Sequence, residues 1–313
     1  AERILRDAGV VLVDVRDVSP LMTTTSLAVS KAVTSIRPDH PQLEAARAIG
    51  VPIISVQQVI ADAAATHGGP LLAVAGTHGK TTSTGWLLEL LRASGVNPAA
   101  FIGGPLFDGT GTPPGSPVHL GDSPGFIVEA DEYAGNFDAY AADCALILNI
   151  DWDHPDVFRD RKAVIEEFIR WSRPTLRRMG LVVNVGDGGG AELAAAVLKA
   201  ELPGSATLPL FTYEVRGEGG TEASRVADVT ATLRTLSRGE VALAEVRLSP
   251  RALVGLPALG ELAGEELAIG IRGAHNAANA LGVAALASLA GATSAGIRRG
   301  LATLLGLDVA LRC

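Results

Sequence analysis

Cysteine is nearly missing from this sequence: Cys144 and Cys313 are the only two among 313 residues. Two thiols cannot build a disulfide scaffold or a four-thiolate zinc site. Cys144 lies in the apolar run Cys144-Ala145-Leu146-Ile147-Leu148, so it reads as a buried core thiol, and a reducing cytoplasm is the simplest home. Aromatics are scarce at 4%, and basic residues are outnumbered by acidic ones, 26 to 34. A net charge of −8 with few rings to stack on bases argues against broad nucleic-acid binding. Anionic small ligands remain open, because a cradle of backbone N–H groups holds phosphate on an acidic protein. Internal repeats and low-complexity tails are lacking too. The N-terminal AERILRDAGV is charged and has no apolar core before a cleavage site, so no signal peptide is expected. The chain opens on Ala rather than Met, as a fragment would.

One stretch lacks charge altogether: the 25 residues between Arg272 and Arg298 contain no Asp, Glu, Lys or Arg. That is long enough to span a bilayer. It holds His275, Asn276, Asn279, Ser288, Thr293 and Ser294, however, and is built on Ala rather than Leu. A buried helix followed by a second short one is expected, with no membrane insertion.

What is present is the composition of a folded α/β protein. Hydrophobic residues make up 48% of the chain, and 36 glycines and 17 prolines punctuate it without period, which excludes disorder and collagen-like structure. At ~150 residues per domain the length allows about two domains. Strands are expected at 71–75, 98–102, 125–129, 144–150, 181–185 and 208–214. Helices are expected at 41–49, 55–65, 80–94, 161–173, 190–200, 274–290 and 293–305. Strand–helix alternation with near-continuous apolar strands implies a parallel sheet covered on both faces. Two alternating runs, 226–234 and 241–249, read as an antiparallel hairpin with one wet face, hence a small β insertion. A domain boundary is expected near 66–70. Before it, 10–14 reads as one strand and 31–35 as the end of another, while 19–30 is poor in apolar pattern.

Four segments carry chemistry. The first is Ala73-Val74-Ala75-Gly76-Thr77-His78-Gly79-Lys80-Thr81-Thr82, a strand running through a Gly-rich turn into a helix that opens at Lys80. Such a turn directs N–H groups inward, Lys80 supplies charge toward the β- and γ-phosphates, and the Thr81 hydroxyl can ligate Mg²⁺. The general phosphate-loop pattern has a further glycine where this chain has Val74, so what stands is the shorter Gly76-x-x-Gly79-Lys80-Thr81. Lys80 reads as an exposed loop side chain whose replacement leaves the fold intact. The bland alternative is a strand–helix turn with an incidental lysine.

The second is Glu129-Ala130-Asp131-Glu132 at the carboxyl end of an apolar strand, where open α/β sheets place ligands. These acids either hold Mg²⁺ or dress a helix N-terminus. The third is Asn149-Ile150-Asp151-Trp152-Asp153-His154-Pro155-Asp156, again just past an apolar strand; His154 is either a ligand in a mixed oxygen and nitrogen site or a structural histidine. The fourth is His275-Asn276-Ala277-Ala278-Asn279. Its two asparagines share a helical face, and they either read an adenine edge or cap a buried helix.

Taken together, in this order and spacing, the four segments resemble the Mur ligase family, ATP-dependent amide-forming ligases of peptidoglycan synthesis. AVAGTHGKTTST is similar to the family's ATP loop, IVEADEYAGNFDAY with LILNIDWDHPDVF to its metal-binding pair, and GAHNAANALGVAALA to its adenine-side helix. The loop and the Glu-Ala-Asp-Glu run are most similar to members that join L-alanine to UDP-N-acetylmuramate; members that recycle murein tripeptide share much of the pattern. SIRPDHPQLEAARAIGVPIISVQQVIADA is similar to the end of that subgroup's first domain, so the resemblance covers about residues 31–305.

The resemblance implies a partial Rossmann-like UDP-substrate domain at 1–68 and a central ATP-binding domain at 69–313. It implies ATP and Mg²⁺ as cofactors, with UDP-N-acetylmuramate and L-alanine as substrates, in a monomer or homodimer. Lys80 would neutralise the γ-phosphate and Thr81 would bind a first Mg²⁺. Glu129 and His154 would share a second, on one sheet edge. Gly76, Thr77, His78, Gly79 and Thr82 would line the nucleotide, and His275 and Asn276 would flank adenine. Asp131 and Glu132 would meet substrate or metal-bound water. The family's first domain opens with a Gly-rich turn of its own, and none is found before residue 49. Its third domain would begin near Gly306-Leu307, seven residues or so before Cys313, and the basic pair of that junction is missing from GLDVALRC. A truncated ligase is therefore expected, or a non-catalytic ATP-binding remnant. Intact Lys80, Thr81, Glu129 and His154 favour the ligase. A phosphate-loop hydrolase or kinase fits the late helix and the β insertion less well.

Overall fold

The structure, a computed structural model, describes residues 2–7, 9–106, 115–200, 209–217, 227–235, 242–271 and 273–304, and divides into two units, residues 1–63 and 64–313. Cys313 lies outside the described residues.

The first unit begins with α1 (Glu2–Asp7) and a 3₁₀ turn at Ser19–Met22. It then runs through β1 (Leu27–Val29), α2 (Lys31–Ile36), α3 (Pro41–Ile49) and β2 (Ile53–Ser55). The two strands pair in parallel, Leu27 opposite Ile53. The α3 helix is legible from its ends: Pro41 opens it, and Gly50 closes it at φ 76°, a left-handed conformation that glycine adopts freely. Two sequence expectations fail here. Residues 10–14 form no strand, and Val11 is 83% exposed, so this apolar run finds no partner. Residues 31–35 are helical, and the strand lies at 27–29 instead. Elements of three to six residues are too short for a period of 2 to be told from one of 3.6.

The chain passes to the second unit along α4 (Val56–His67). The second unit holds β3 (Leu71–Ala75), α5 (Lys80–Ala93), β4 (Pro98–Phe101), β5 (Val118–His119), β6 (Ser123–Ala130) and β7 (Cys144–Ile147). It continues with α6 (Arg161–Ser172), β8 (Gly180–Asn184), α7 (Gly188–Ala200) and β9 (Leu210–Gly217). Next come β10 (Val229–Thr235), β11 (Ala242–Leu248), α8 (Pro250–Gly255) and α9 (Pro257–Gly260). The last elements are β12 (Glu266–Ile269), α10 (Ala274–Leu289) and α11 (Ser294–Thr303).

One sheet takes all ten strands in the order β12-β11-β10-β9-β8-β7-β3-β6-β4-β5. It is parallel from β10 to β4 and antiparallel at both ends. The expected hairpin is present, with Val229 opposite Leu248. Rather than standing apart as an insertion it extends the main sheet, because β10 also pairs in parallel with β9. The sheet is covered on both faces, as continuous apolar strands require. In β8, Val182 joins the core formed with α5, α10 and α11, while Leu181 and Val183 are buried on the other side, where α7 packs. That second layer also contains Phe137 stacked on Trp171 at 4.7 Å and 5°.

The uncharged stretch after residue 272 becomes α10 and α11, and among the described residues no helix is long and apolar enough to cross a membrane. Alanines let α10 lie close to the sheet, and Gly282 sits against β7 and β9. A Cβ there would meet the fully buried Tyr213 hydroxyl at 2.5 Å and Leu146 Cδ1 at 2.9 Å. Gly282→Ala would gain about 1 kcal/mol of helix propensity but force an overpacked contact costing about 1–3 kcal/mol. A net loss of stability is expected in urea unfolding. Cys144 is fully buried in β7, and burial pushes its thiol up to about 12, so it stays protonated and unreactive.

Candidate functional site

The order of the strands sets the position of the site. From β3 the chain crosses to β4 and β6 on one side, then to β7 and β8 on the other, so the direction of winding reverses at β3. Ligands of open parallel sheets bind beyond the carboxyl ends of strands at such a reversal. The loop 76–79 leaves β3 at that place and runs straight into α5, a 14-residue helix whose first N–H groups and dipole favour an anion.

The loop is held from one side by the segment after β7. The Thr77 N–H donates to the Asn149 carbonyl at 3.0 Å, and Thr77 Oγ1 accepts the Asp151 N–H at 2.9 Å. The His78 N–H donates to Asn149 Oδ1 at 2.8 Å, and Asn149 Nδ2 donates back to the His78 carbonyl at 2.9 Å. Gly79 takes φ 82°, and a Cβ there would lie 2.6 Å from Asn279 Nδ2, so only glycine lets the turn pass beside α10.

Lys80 is not the exposed loop lysine that its sequence context suggests. Its side chain is 12% exposed, with Nζ 3.0 Å from Glu132 Oε2 and 3.3 Å from Asp131 Oδ1; Glu132 itself is only 1% exposed. Burial alone would lower the Lys80 ammonium, and the two carboxylates more than reverse it, holding it above its ordinary value. Its removal would strand the buried Glu132 carboxylate, so, contrary to what the sequence context suggests, Lys80 supports the fold as well as facing the loop. The partner lies 52 residues away in sequence, where local pattern gives no hint of it.

Glu129 receives the Thr81 hydroxyl on Oε1 at 3.1 Å and the Gly103 N–H on Oε2 at 2.7 Å. Burial raises its carboxyl above the ordinary range, against the opposing effect of those two hydrogen bonds and of Lys80. Asp131 also accepts from Asn136 Nδ2 at 3.0 Å. His154 stands at φ 57°, its ring edge-on to Tyr133 at 4.8 Å, and the Tyr133 hydroxyl donates to Asp156 at 3.0 Å. Tyr133 follows β6 and His154 follows β7, so Glu129 and His154 belong to the same carboxyl-end edge, on the two strands that flank β3.

Among the described residues no three His, Cys, Asp or Glu side chains gather closely enough to hold a metal by themselves. Magnesium does not need such a cage. It keeps several waters and is bound through one or two carboxylates plus substrate phosphates. The hydroxyl of Thr81 against the half-buried Glu129 carboxylate, beside the phosphate loop, is a hard-oxygen donor set of that kind.

Loop and late helix open onto one cavity of about 650 Å³. His78, Gly79 and Thr82 line it together with His275, Asn276 and Asn279. His275 is exposed, Asn276 half-buried and Asn279 buried, so the two asparagines share the face of α10 that looks into the cavity. Asn149, which opens the third chemistry-bearing segment, also lines it, as do Asn184 and Asp187, which the sequence motifs do not include. For Asn184 the signal is its place at the end of β8, where ligands gather. Asp187 accepts the Ile150 N–H at 3.0 Å and the Gly190 N–H at 2.8 Å, tying the segment after β7 to the start of α7.

No family model matches the chain. Among curated proteins it is similar to the UDP-N-acetylmuramate–L-alanine ligase of Frankia alni, 32% identical over 88% of this chain and 42% of that protein. It is 31% identical to the ligase of the same name from Cutibacterium acnes, over 93% of this chain and 54% of that one. With the Rhodococcus jostii ligase it shares 30%, over 97% and 56%. The chain spans about half the length of these relatives. Among solved structures it superposes on UDP-N-acetylmuramate:L-alanyl-gamma-D-glutamyl-meso-diaminopimelate ligase from Neisseria meningitides with a TM-score of 0.72, covering 97% of this chain and 86% of that one at 22% identity. The UDP-N-acetylmuramate-alanine ligase of Thermotoga maritima gives 0.70, with 96% and 60% covered at 22% identity. At these identities the solved structures speak for the fold alone.

Proposed function

Because the chain belongs to the Mur ligase family, we propose that it carries the ATP-binding centre of a ligase that joins L-alanine to the carboxylate of UDP-N-acetylmuramate. The observation that carries this reading is a cavity that His78, Gly79 and Thr82 share with the Asn276 face of α10. In the proposed reaction a carboxylate oxygen of the sugar nucleotide attacks the γ-phosphorus, and ADP leaves. The L-alanine nitrogen then attacks the acyl carbon and loses a proton as inorganic phosphate departs. Such chemistry needs positioning and charge neutralisation more than covalent help.

Each residue has a part in that. The α5 N-terminus and Lys80 would face the phosphates, with Lys80 already oriented by Asp131 and Glu132. Thr81 and Glu129 would hold Mg²⁺, with His154 near the same edge; when bound, the ion would neutralise charge on the phosphates. Asn276 would pair with the adenine edge, with His275 beside it. Residues 69–313 would serve ATP, and residues 1–68 would be part of the UDP side. The buried free thiol of Cys144 supports a reducing compartment, the cytoplasm.

Calorimetric titration with ATP, with and without Mg²⁺, tests the centre; no affinity for ATP overturns the reading. ADP release on adding UDP-N-acetylmuramate and L-alanine, with the product checked by mass, tests the reaction. L-alanyl-γ-D-glutamyl-meso-diaminopimelate in place of L-alanine is the competing arm. Asn276→Ala is expected to weaken ATP roughly ten- to hundredfold, the value of one bidentate base contact at about 1–3 kcal/mol. It should leave affinity for inorganic triphosphate unchanged. Equal losses for both ligands would mean that Asn276 does not read the base.

A further inference from the structure

A peptide unit is planar and trans, so its C=O and the following N–H point in opposite directions. Whatever holds one of these groups aims the other. Asn149 holds both main-chain groups of His78: Oδ1 takes the N–H at 2.8 Å and Nδ2 gives to the carbonyl at 2.9 Å. Its grip on the His78 N–H turns the Thr77 carbonyl away from Asn149, and that carbonyl lies 3.4 Å from Lys80 Nζ. Its grip on the His78 carbonyl turns the Gly79 N–H away in the same manner, at the mouth of α5.

Asn149 is itself fixed. Its carbonyl accepts the Thr77 N–H at 3.0 Å, and the next residue, Ile150, donates its N–H to Asp187 at 3.0 Å. One amide side chain thus sets two successive peptide planes of the loop from a wall anchored elsewhere in the sheet. Only an amide offers a donor and an acceptor side by side for this.

We propose that Asn149 is a positioning residue for the phosphates of the bound nucleotide, acting through the His78 main chain rather than by touching the ligand. This rests on the reading of the cavity as a nucleotide site. Asn149 also borders the cavity, but its Oδ1 and Nδ2 are both engaged with His78, which favours action through the loop.

The test compares ATP with adenosine on the chain and on Asn149→Ala, Asn149→Asp and Asn149→Ser. Aspartate keeps the acceptor but sets a carboxylate oxygen against the His78 carbonyl. Serine keeps one polar group near the loop and is the milder variant should alanine fail to fold. A loop that meets the phosphates already formed loses affinity when loosened. Alanine and aspartate are therefore expected to weaken ATP by roughly tenfold or more and serine by less, with adenosine unchanged within about twofold. A general loss of structure would lower both ligands together, and such a result overturns the proposal. So does a variant that binds ATP as the unaltered chain does. If the unaltered chain binds neither ligand, the nucleotide reading falls and this inference with it.

Discussion

Lys80→Ala is expected to weaken ATP binding roughly ten- to hundredfold and also to lower the stability of the chain by about 3–5 kcal/mol. Two arguments meet at one side chain. Removing the ammonium takes away a charge-assisted contact to the phosphates, worth about 1.5–3 kcal/mol or roughly ten- to hundredfold in affinity. It also strands Glu132, whose side chain is 1% exposed and whose ion pair is with Lys80 at 3.0 Å. An unpaired buried carboxylate is the larger penalty. Asp131 softens it little, since it carries the same sign.

The two effects separate in a double variant. Lys80→Met with Glu132→Gln removes both charges and keeps the volume, so most of the stability should return while ATP binding stays weakened. Urea unfolding and calorimetry on the single and double variants read the two quantities independently. Stability of Lys80→Ala within about 0.5 kcal/mol of the unaltered chain would show that the pair is solvated and that its burial has no energetic consequence.

That coupling illustrates which parts of this protein are legible in its sequence. Runs such as Leu71–Ala75 and Cys144–Ile147 declare buried parallel strands because they are apolar throughout, too short for a buried helix and followed by turns, and the turn Gly76–Gly79 declares itself by its glycines. The paired asparagines of α10 announce a shared face through their spacing alone. Where the reading fails, the cause is length or distance. β5, β12 and the first unit's β1 have two to four residues, too few to show a period. The partners Lys80 with Glu132 and His78 with Asn149 are 52 and 71 residues apart, so only the folded sheet brings them together. The hairpin of β10 and β11 was visible as a hairpin, but its pairing with β9 depends on a strand edge that local alternation does not describe. His154 in its left-handed conformation has no local signature either, since the strain is held by the surrounding fold.

Glu129→Gln is expected to make the unliganded chain more stable and the liganded chain less so. Burial raises the Glu129 carboxyl above its ordinary value, so folding disfavours its charged form. A group raised in this way contributes fully below its unfolded value, and the contribution is lost as pH rises through the folded value. At neutral pH the ionised side chain is therefore a liability, kept for what it binds. Glutamine is close in shape and can satisfy both neighbours, its oxygen taking the Gly103 N–H and its nitrogen donating to Thr81 Oγ1. The thermal midpoint without ligand should rise by about 2 °C, the scale of ~1 kcal/mol in a unit of this size. The gain should vanish as pH falls through the window between the raised and the ordinary glutamate values, where the natural residue is protonated as well. With Mg²⁺ and ATP the order should reverse, because a ligand stabilises a fold in proportion to its affinity and the variant has lost a carboxylate from the proposed magnesium site. Melting curves of both chains, with EDTA and with Mg²⁺–ATP, measure the crossing directly. Parallel shifts on adding Mg²⁺–ATP would remove Glu129 from the metal site, and a lower midpoint in EDTA would show that its hydrogen bonds outweigh the cost of burying its charge.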